Sequence, residues 1–191
     1  MSETEKKIIE AAIRVFVRYG ARKTTMADIA SEADVSRQTL YASFGGKDDL
    51  IVASIRYITG RNLERVRSLL PECSSLGEQL EVYFAETVVK SFELLQSSSD
   101  AADLVAGHNE AGRDAILQSH QLHKELIGSL LVPYTRQIGA TGQSPADMAR
   151  FIVAVVMGFK TEAKTRDELD QLLKSLKIVV LLAAEGAQPV T

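Results

Sequence analysis

The sequence holds one cysteine, Cys73. A single thiol cannot close an internal disulfide, so a cross-linked scaffold is excluded. Nothing basic flanks Cys73 to lower its pKa, and it reads as an incidental free thiol rather than a redox sensor. No apolar run approaches the roughly 20 residues of a membrane-spanning helix. The first residues, Met1 to Lys7, lack the apolar core of a signal peptide, so the expected location is cytoplasmic and no membrane partner is expected. Positive charge is not in excess either. The chain has 22 Lys and Arg against 25 Asp and Glu, a formal net charge of −3. That balance argues against a general nucleic-acid binder. Residues 1–60 carry nine basic and eight acidic residues, and the rest carry 13 and 17. DNA affinity would therefore come from local placement, with the acidic bulk suppressing non-specific binding.

Catalytic signatures are missing as well. There is no glycine-rich phosphate loop, no metal-ligand cluster and no nucleophile with an activating partner. Gly45-Gly46 is too short to cradle a nucleotide. His120 and His123 lie three apart on one helix face, a spacing that could hold a metal. No third ligand stands beside them, and zinc needs three or four, so a solvated pair is the expectation. No enzyme and no cofactor are expected. Internal repeats, low-complexity tracts and strand patterns are absent too.

What is present is helical periodicity with clear punctuation. Around Thr24–Leu50, Met26, Ile29, Ala30 and Ala33 follow the i, i+3, i+4, i+7 spacing of one buried stripe. Thr25 with Asp28 marks the start of that helix, and Asp34 marks the turn after it, because Asp tolerates the left-handed conformation. Ser36 is a natural N-cap for the next helix. There Arg37, Gln38 and Tyr41 share an arc of about 100°. Leu40 and Phe44 occupy another arc and can anchor the helix. The exposed arc suits a major-groove reader: Arg pairs with guanine, Gln with adenine, and hydroxyls reach phosphate or base edges.

Upstream, Ser2 and Glu5 have capping-box spacing, Ile9, Ala12, Ile13 and Phe16 form a stripe, and Gly20 ends the helix. Arg14 and Arg18 read as a solvated face, while Arg22 and Lys23 are better placed to meet phosphate. Downstream, Lys47-Asp48-Asp49 opens a long amphipathic helix that runs to Pro71. A fifth helix starts at Ser75 with a wide apolar face through Tyr83, Phe84, Thr87 and Val88. Ser97–Asp100 breaks it, and a short sixth helix runs to Gly107. A seventh spans about 109–138, kinked or ended at Pro133. Ser144-Pro145-Ala146-Asp147 starts the eighth helix, and Thr165 with Glu168 caps the ninth. These last two helices are apolar on more than one face. Such helices need two partners, either their own core alone or a core and a second copy of the chain.

Val35-Ser36-Arg37-Gln38-Thr39-Leu40-Tyr41-Ala42-Ser43-Phe44, followed by Lys47-Asp48-Asp49-Leu50, resembles the helix-turn-helix signature of tetracycline-repressor (TetR) family regulators. Gly20-Ala21-Arg22-Lys23-Thr24-Thr25 and the helix before it resemble that family too. The close match covers about the first 55 residues. Two departures stand: Asp34 occupies a position where the family often has glycine, and Gly45-Gly46 replaces its usual corner.

The resemblance implies an all-α fold of about nine helices. A three-helix DNA-binding domain would cover 1–60, with its helix-turn-helix at 25–44. A larger ligand-sensing and dimerisation domain would cover 61–191. It implies a repressor that binds a palindromic double-stranded operator as a dimer formed through the last two helices, and that a small molecule releases. Arg37, Gln38 and Thr39 would read bases, Thr25, Tyr41 and Lys47 would fix register on the DNA backbone, and Ser43 could do either. Tyr57, Tyr83, Phe84, Phe92, His108, Tyr134, Met148 and Phe151 are candidates to line an effector pocket, although each also fits plain core. The sparse charge there points to an apolar or aromatic effector. The alternative is a helical carrier or interaction module with no specific DNA role.

Overall fold

The computed structural model describes residues 1–96 and 110–185 of the chain. Among these, every regular element is helical. The expected sixth helix and His108 lie outside the described residues.

The N-terminal helices are α1 (Glu3–Tyr19), α2 (Met26–Glu32), α3 (Arg37–Ser43) and α4 (Lys47–Leu69). Their ends follow local chemistry. Ser2 with Glu5 and Thr25 with Asp28 form complete capping boxes, and Ser36 caps α3 by accepting from the Thr39 N–H. The α2–α3 turn is a Schellman cap. Val35 N–H reaches Ala30 O at 3.0 Å, Asp34 N–H reaches Ser31 O at 3.2 Å, and Asp34 sits at φ 49°. Glycine is the usual occupant of such a position; Asp holds it here with a modest steric cost.

After α4, a 3-10 turn at Leu70–Glu72 leads to α5 (Leu76–Tyr83), a π-helical segment (Phe84–Val89) and α6 (Lys90–Gln96). The π segment is absent from a reading based on period alone. It widens the helix by one residue, so Phe84, Thr87, Val88 and Val89 are all buried. Hydroxyls serve the loosened carbonyls: Thr87 Oγ1 donates to Tyr83 O at 2.7 Å and Ser91 Oγ to Thr87 O at 2.6 Å. Next come α7 (Glu110–Leu131), a 3-10 turn holding Pro133 (Val132–Tyr134), α8 (Thr135–Ala140), α9 (Pro145–Glu162) and α10 (Arg166–Glu185). Pro133 thus divides the expected seventh helix. Ser144 and Asp147 form a third capping box, with Pro145 in the first turn.

The chain divides into two compact units. The first comprises Met1–Arg61 with the described part of Glu93–Ser119; the second comprises Asn62–Phe92 and the described part of His120–Thr191. The first unit closes around Ile8, Ala12, Phe16, Ile29, Ala30, Leu40, Leu50 and Ile51. Ala115 of α7 belongs to that same core. Arg56 Nη2 donates to Gln118 Oε1 at 3.0 Å, and the Thr59 and Ser119 hydroxyls lie 2.7 Å apart, which ties the start of α7 to α4. In the second unit Leu63, Leu80, Tyr83, Ile127, Ile152, Leu169, Leu176 and Val180 are among the core residues.

The Schellman cap generates a prediction. Asp34→Gly should stabilise the chain by up to about 1 kcal/mol, and Asp34→Val should cost about 1–2 kcal/mol, because a β-branched side chain resists positive φ. Urea unfolding of both variants checks the order. A valine variant as stable as the parent would refute the strain argument.

Candidate nucleic-acid interface and effector region

Helix α3 is seven residues long and would not persist alone. It is held by Leu40, fully buried in the first core, and by half-buried Phe44. Burying a leucine contributes about 2–3 kcal/mol. This anchor turns the opposite arc outward. Arg37, Gln38, Thr39 and Tyr41 are all exposed, and Ser43 at the end of the helix is half-buried. The Arg37, Gln38 and Tyr41 side chains make no hydrogen bond or ion pair among the described residues.

The other expected contacts are partly committed. Thr39 Oγ1 lies 2.8 Å from Ser36 Oγ, inside the α3 cap. The Thr25 hydroxyl donates to Asp28 Oδ2 at 2.7 Å. That hydroxyl, then the Thr25 N–H, hold the Asp28 carboxyl below its usual range, with the Arg37 guanidinium adding to the effect. Lys47 Nζ donates to Thr24 O at 3.1 Å and Arg22 O at 3.3 Å, which straps α4 to the α1–α2 junction. An ammonium has three donors, so one remains. Arg14 pairs with Glu32 at 2.6 Å on the surface, and the Arg18 guanidinium lies 5.2 Å from the Tyr19 ring centre.

The candidate effector residues do not form one group. Tyr57 belongs to the first unit, where its hydroxyl donates to Glu10 and its ring lies 5.9 Å from the Arg61 guanidinium. Tyr83, Phe84, Phe92 and Met148 are buried in the second core, with Tyr134 half-buried against it. Phe151 is 45% exposed and faces outward. On α10, Ile178, Val179 and Leu182 are likewise 48%, 52% and 52% exposed. Of the candidates, Phe84 lines a charged groove of the second unit with Val89, Leu173, Lys174 and Lys177.

The histidines depart from the sequence expectation. His123 is buried, not solvated, and Tyr83 Oη lies 3.1 Å from its Nδ1. The rings meet edge to face at 5.7 Å. The two residues are 40 apart in the chain, so periodicity could not pair them. Burial, then the Lys160 and His120 charges, lower the His123 pKa to about 4. Burial likewise brings the Lys160 ammonium down to about 8. Lys160 escaped the sequence reading. Its one signal was a basic residue closing the apolar run from Phe151 to Phe159.

No helix of the described residues is long and apolar enough to cross a membrane. A short, pinned helix with an outward Arg-Gln-Tyr arc after a Schellman turn defines a helix-turn-helix DNA-binding protein. The description "Bacterial regulatory proteins, tetR family" matches residues 8–53, which span α1 to the start of α4. Residues 8–53 are therefore a DNA-binding domain of that family. It is 30% identical over 159 residues to an uncharacterized HTH-type transcriptional regulator, YerO, of Bacillus subtilis, covering 80% of this chain and 54% of that one. It is 31% identical over 129 residues to the HTH-type transcriptional regulator TtgR of Pseudomonas putida, covering 62% and 61%. The chain thus spans about half to three-fifths of the length of these relatives. In fold it is similar to the transcriptional regulator FadR from Bacillus subtilis in complex with stearoyl-CoA, with TM-score 0.69, 22% identity, and 96% and 99% of the two chains covered.

The buried histidine makes stability depend on pH. Its folded pKa lies below the ordinary 6.5, so its contribution is complete above about 6.5 and is lost as pH falls toward about 4. The groups facing it are Tyr83, His120 and Lys160. Calorimetric melting from pH 7 to 4 should show a falling Tm, and His123→Gln should flatten part of that slope. An identical slope in the variant would remove His123 as its source.

Proposed function

We propose that the protein is a sequence-specific repressor that binds a palindromic operator as a homodimer and is released by a small-molecule effector. The observation that carries this reading is the unpaired arc of Arg37, Gln38 and Tyr41 on a helix pinned by Leu40. Two such helices would enter successive major grooves about 34 Å apart. Arg37, Gln38 and Thr39 read bases. Tyr41, Lys47 and Thr25 set register on the DNA backbone, and Ser43 serves either purpose. Lys47 does so with its remaining proton, since two carbonyls take the others.

Dimerisation through α9 and α10 is supported by Phe151, Ile178, Val179 and Leu182, large apolar side chains exposed on the single chain. Residues from about 61 onward serve as the sensing and dimerisation domain. An effector there acts by binding the DNA-competent and DNA-incompetent states with different affinity. The signal passes along α4, whose residues both units share. A FadR of the same fold holds stearoyl-CoA, which supports an effector for this chain also.

Selection from random duplex DNA at moderate salt should recover one palindromic motif, and an Arg37→Ala/Gln38→Ala/Tyr41→Ala triple variant should lose it. An unselective pool from the parent would favour a helical carrier instead. On the recovered operator, Arg37→Ala should cost about 1–3 kcal/mol and relax one base pair, whereas Lys47→Ala should weaken all sequences alike. Uniform weakening by Arg37→Ala would refute base reading. Ile178→Glu/Leu182→Glu should shift the dimer to monomer in sedimentation and abolish operator binding. A dimer that survives this change would place its interface elsewhere.

A further inference from the structure

Helix α4 is fastened along its first half and then changes partners. Its ties to the first unit end together. Arg56 donates to Gln118 at 3.0 Å, the Tyr57 hydroxyl donates to Glu10 of α1, and the Thr59 hydroxyl lies 2.7 Å from that of Ser119. Ile55 is buried in the first core, with Ile58 packed against it. The next buried residues, Asn62, Leu63 and Val66, belong to the second unit, and Leu63 and Val66 to its core. Gly60 and exposed Arg61 alone separate the two sets of anchors.

Nothing in the described residues calls for glycine at this place. Its φ is not positive, and a Cβ at position 60 would meet nothing among them within 4 Å beyond its own helix backbone. Alanine would fit. Glycine is less favourable than alanine in a helix interior by an amount equal to about four- to fivefold in helix population. The least helix-favouring residue of α4 thus stands where its anchorage passes from one core to the other. Helix α7 makes the same passage. Ser119 is its last residue in the first unit, and none of residues 116–122 is buried before His123. The Thr59–Ser119 contact holds the two helices together at this level, so α4 can bend there without parting from α7.

We propose that Gly60 is a hinge in α4 that sets which half-site spacings the dimer accepts, a specificity determinant outside the DNA-facing arc. The proposal rests on the operator reading above. One added base pair moves a half-site by about 3.4 Å along the duplex and about 34° around it. Helix α3 is pinned in the first core by Leu40 and cannot make that adjustment alone. The first unit follows as a body, and α4 bends where least is lost. Glycine lowers the cost of that bend, and alanine restores the straight helix.

Two measurements on the full chain test this. In amide hydrogen exchange, the N–H groups of residues 60–64, whose helical acceptors are the carbonyls of 56–60, should exchange about fivefold or more faster than those of 52–56. Gly60→Ala should slow them about four- to fivefold and leave the rest of α4 unchanged. Gly139→Ala, at a helical glycine with equally open surroundings, should change neither. Even protection along α4 overturns the hinge, as does exchange at 60–64 that Gly60→Ala leaves unaltered. The second measurement uses the operator recovered by selection, with one base pair added or removed between half-sites. Gly60→Ala should match the parent on the best spacing and lose about fivefold or more additional affinity on the altered ones. Identical spacing profiles for parent and variant overturn the specificity role. Failure of selection to yield an operator removes the DNA reading and the specificity role with it, while the exchange result still decides the hinge.

Discussion

Burial of Leu40 is the contact on which the outward face of α3 depends. A seven-residue helix has too few hydrogen bonds to offset its own nucleation. Helix α3 exists because Leu40 is buried in the core that also holds Phe16, Ile29, Ala30 and Leu50, which fixes both the position and the rotation of the helix. Its opposite arc is then committed to solvent. The same constraint shapes the turn before it. Asp34 accepts a left-handed backbone so that α2 can close its last carbonyls and deliver Val35 and Leu40 to one core.

The first core is not built from contiguous sequence alone. Ala115 joins it, and the Arg56–Gln118 and Thr59–Ser119 contacts fasten the start of α7 to α4. Lys47 straps α4 back to the α1–α2 junction. Helix α3 therefore sits on a platform braced from both ends of α4's first half. Arg37, Gln38 and Tyr41 stay exposed because structural work is done by residues on the other face.

The second unit solves a different problem. Its helices bury wide faces, and α5 runs into a π turn so that successive residues can all reach the core. Into that core it admits Tyr83 and His123, whose polar atoms meet each other. The pairing matters, since a buried polar group without a partner is destabilising.

Much of this was legible in the chain. The caps at Ser2, Thr25, Ser36 and Ser144, the stop at Gly20, the turn at Asp34 and the break at Pro133 all depend on residues within four or five positions, so short-range chemistry determines them. The buried stripe of α2 and the outward arc of α3 follow from helical period, and the family follows from their order. Tertiary structure alone decided the rest. It buried His123 against a tyrosine 40 residues away, took two protons of Lys47 for distant carbonyls, assigned Tyr57 to Glu10, and turned Phe151 outward. A helical period gives the direction of a side chain relative to its own axis. What it meets is set by a partner helix whose position no local pattern encodes.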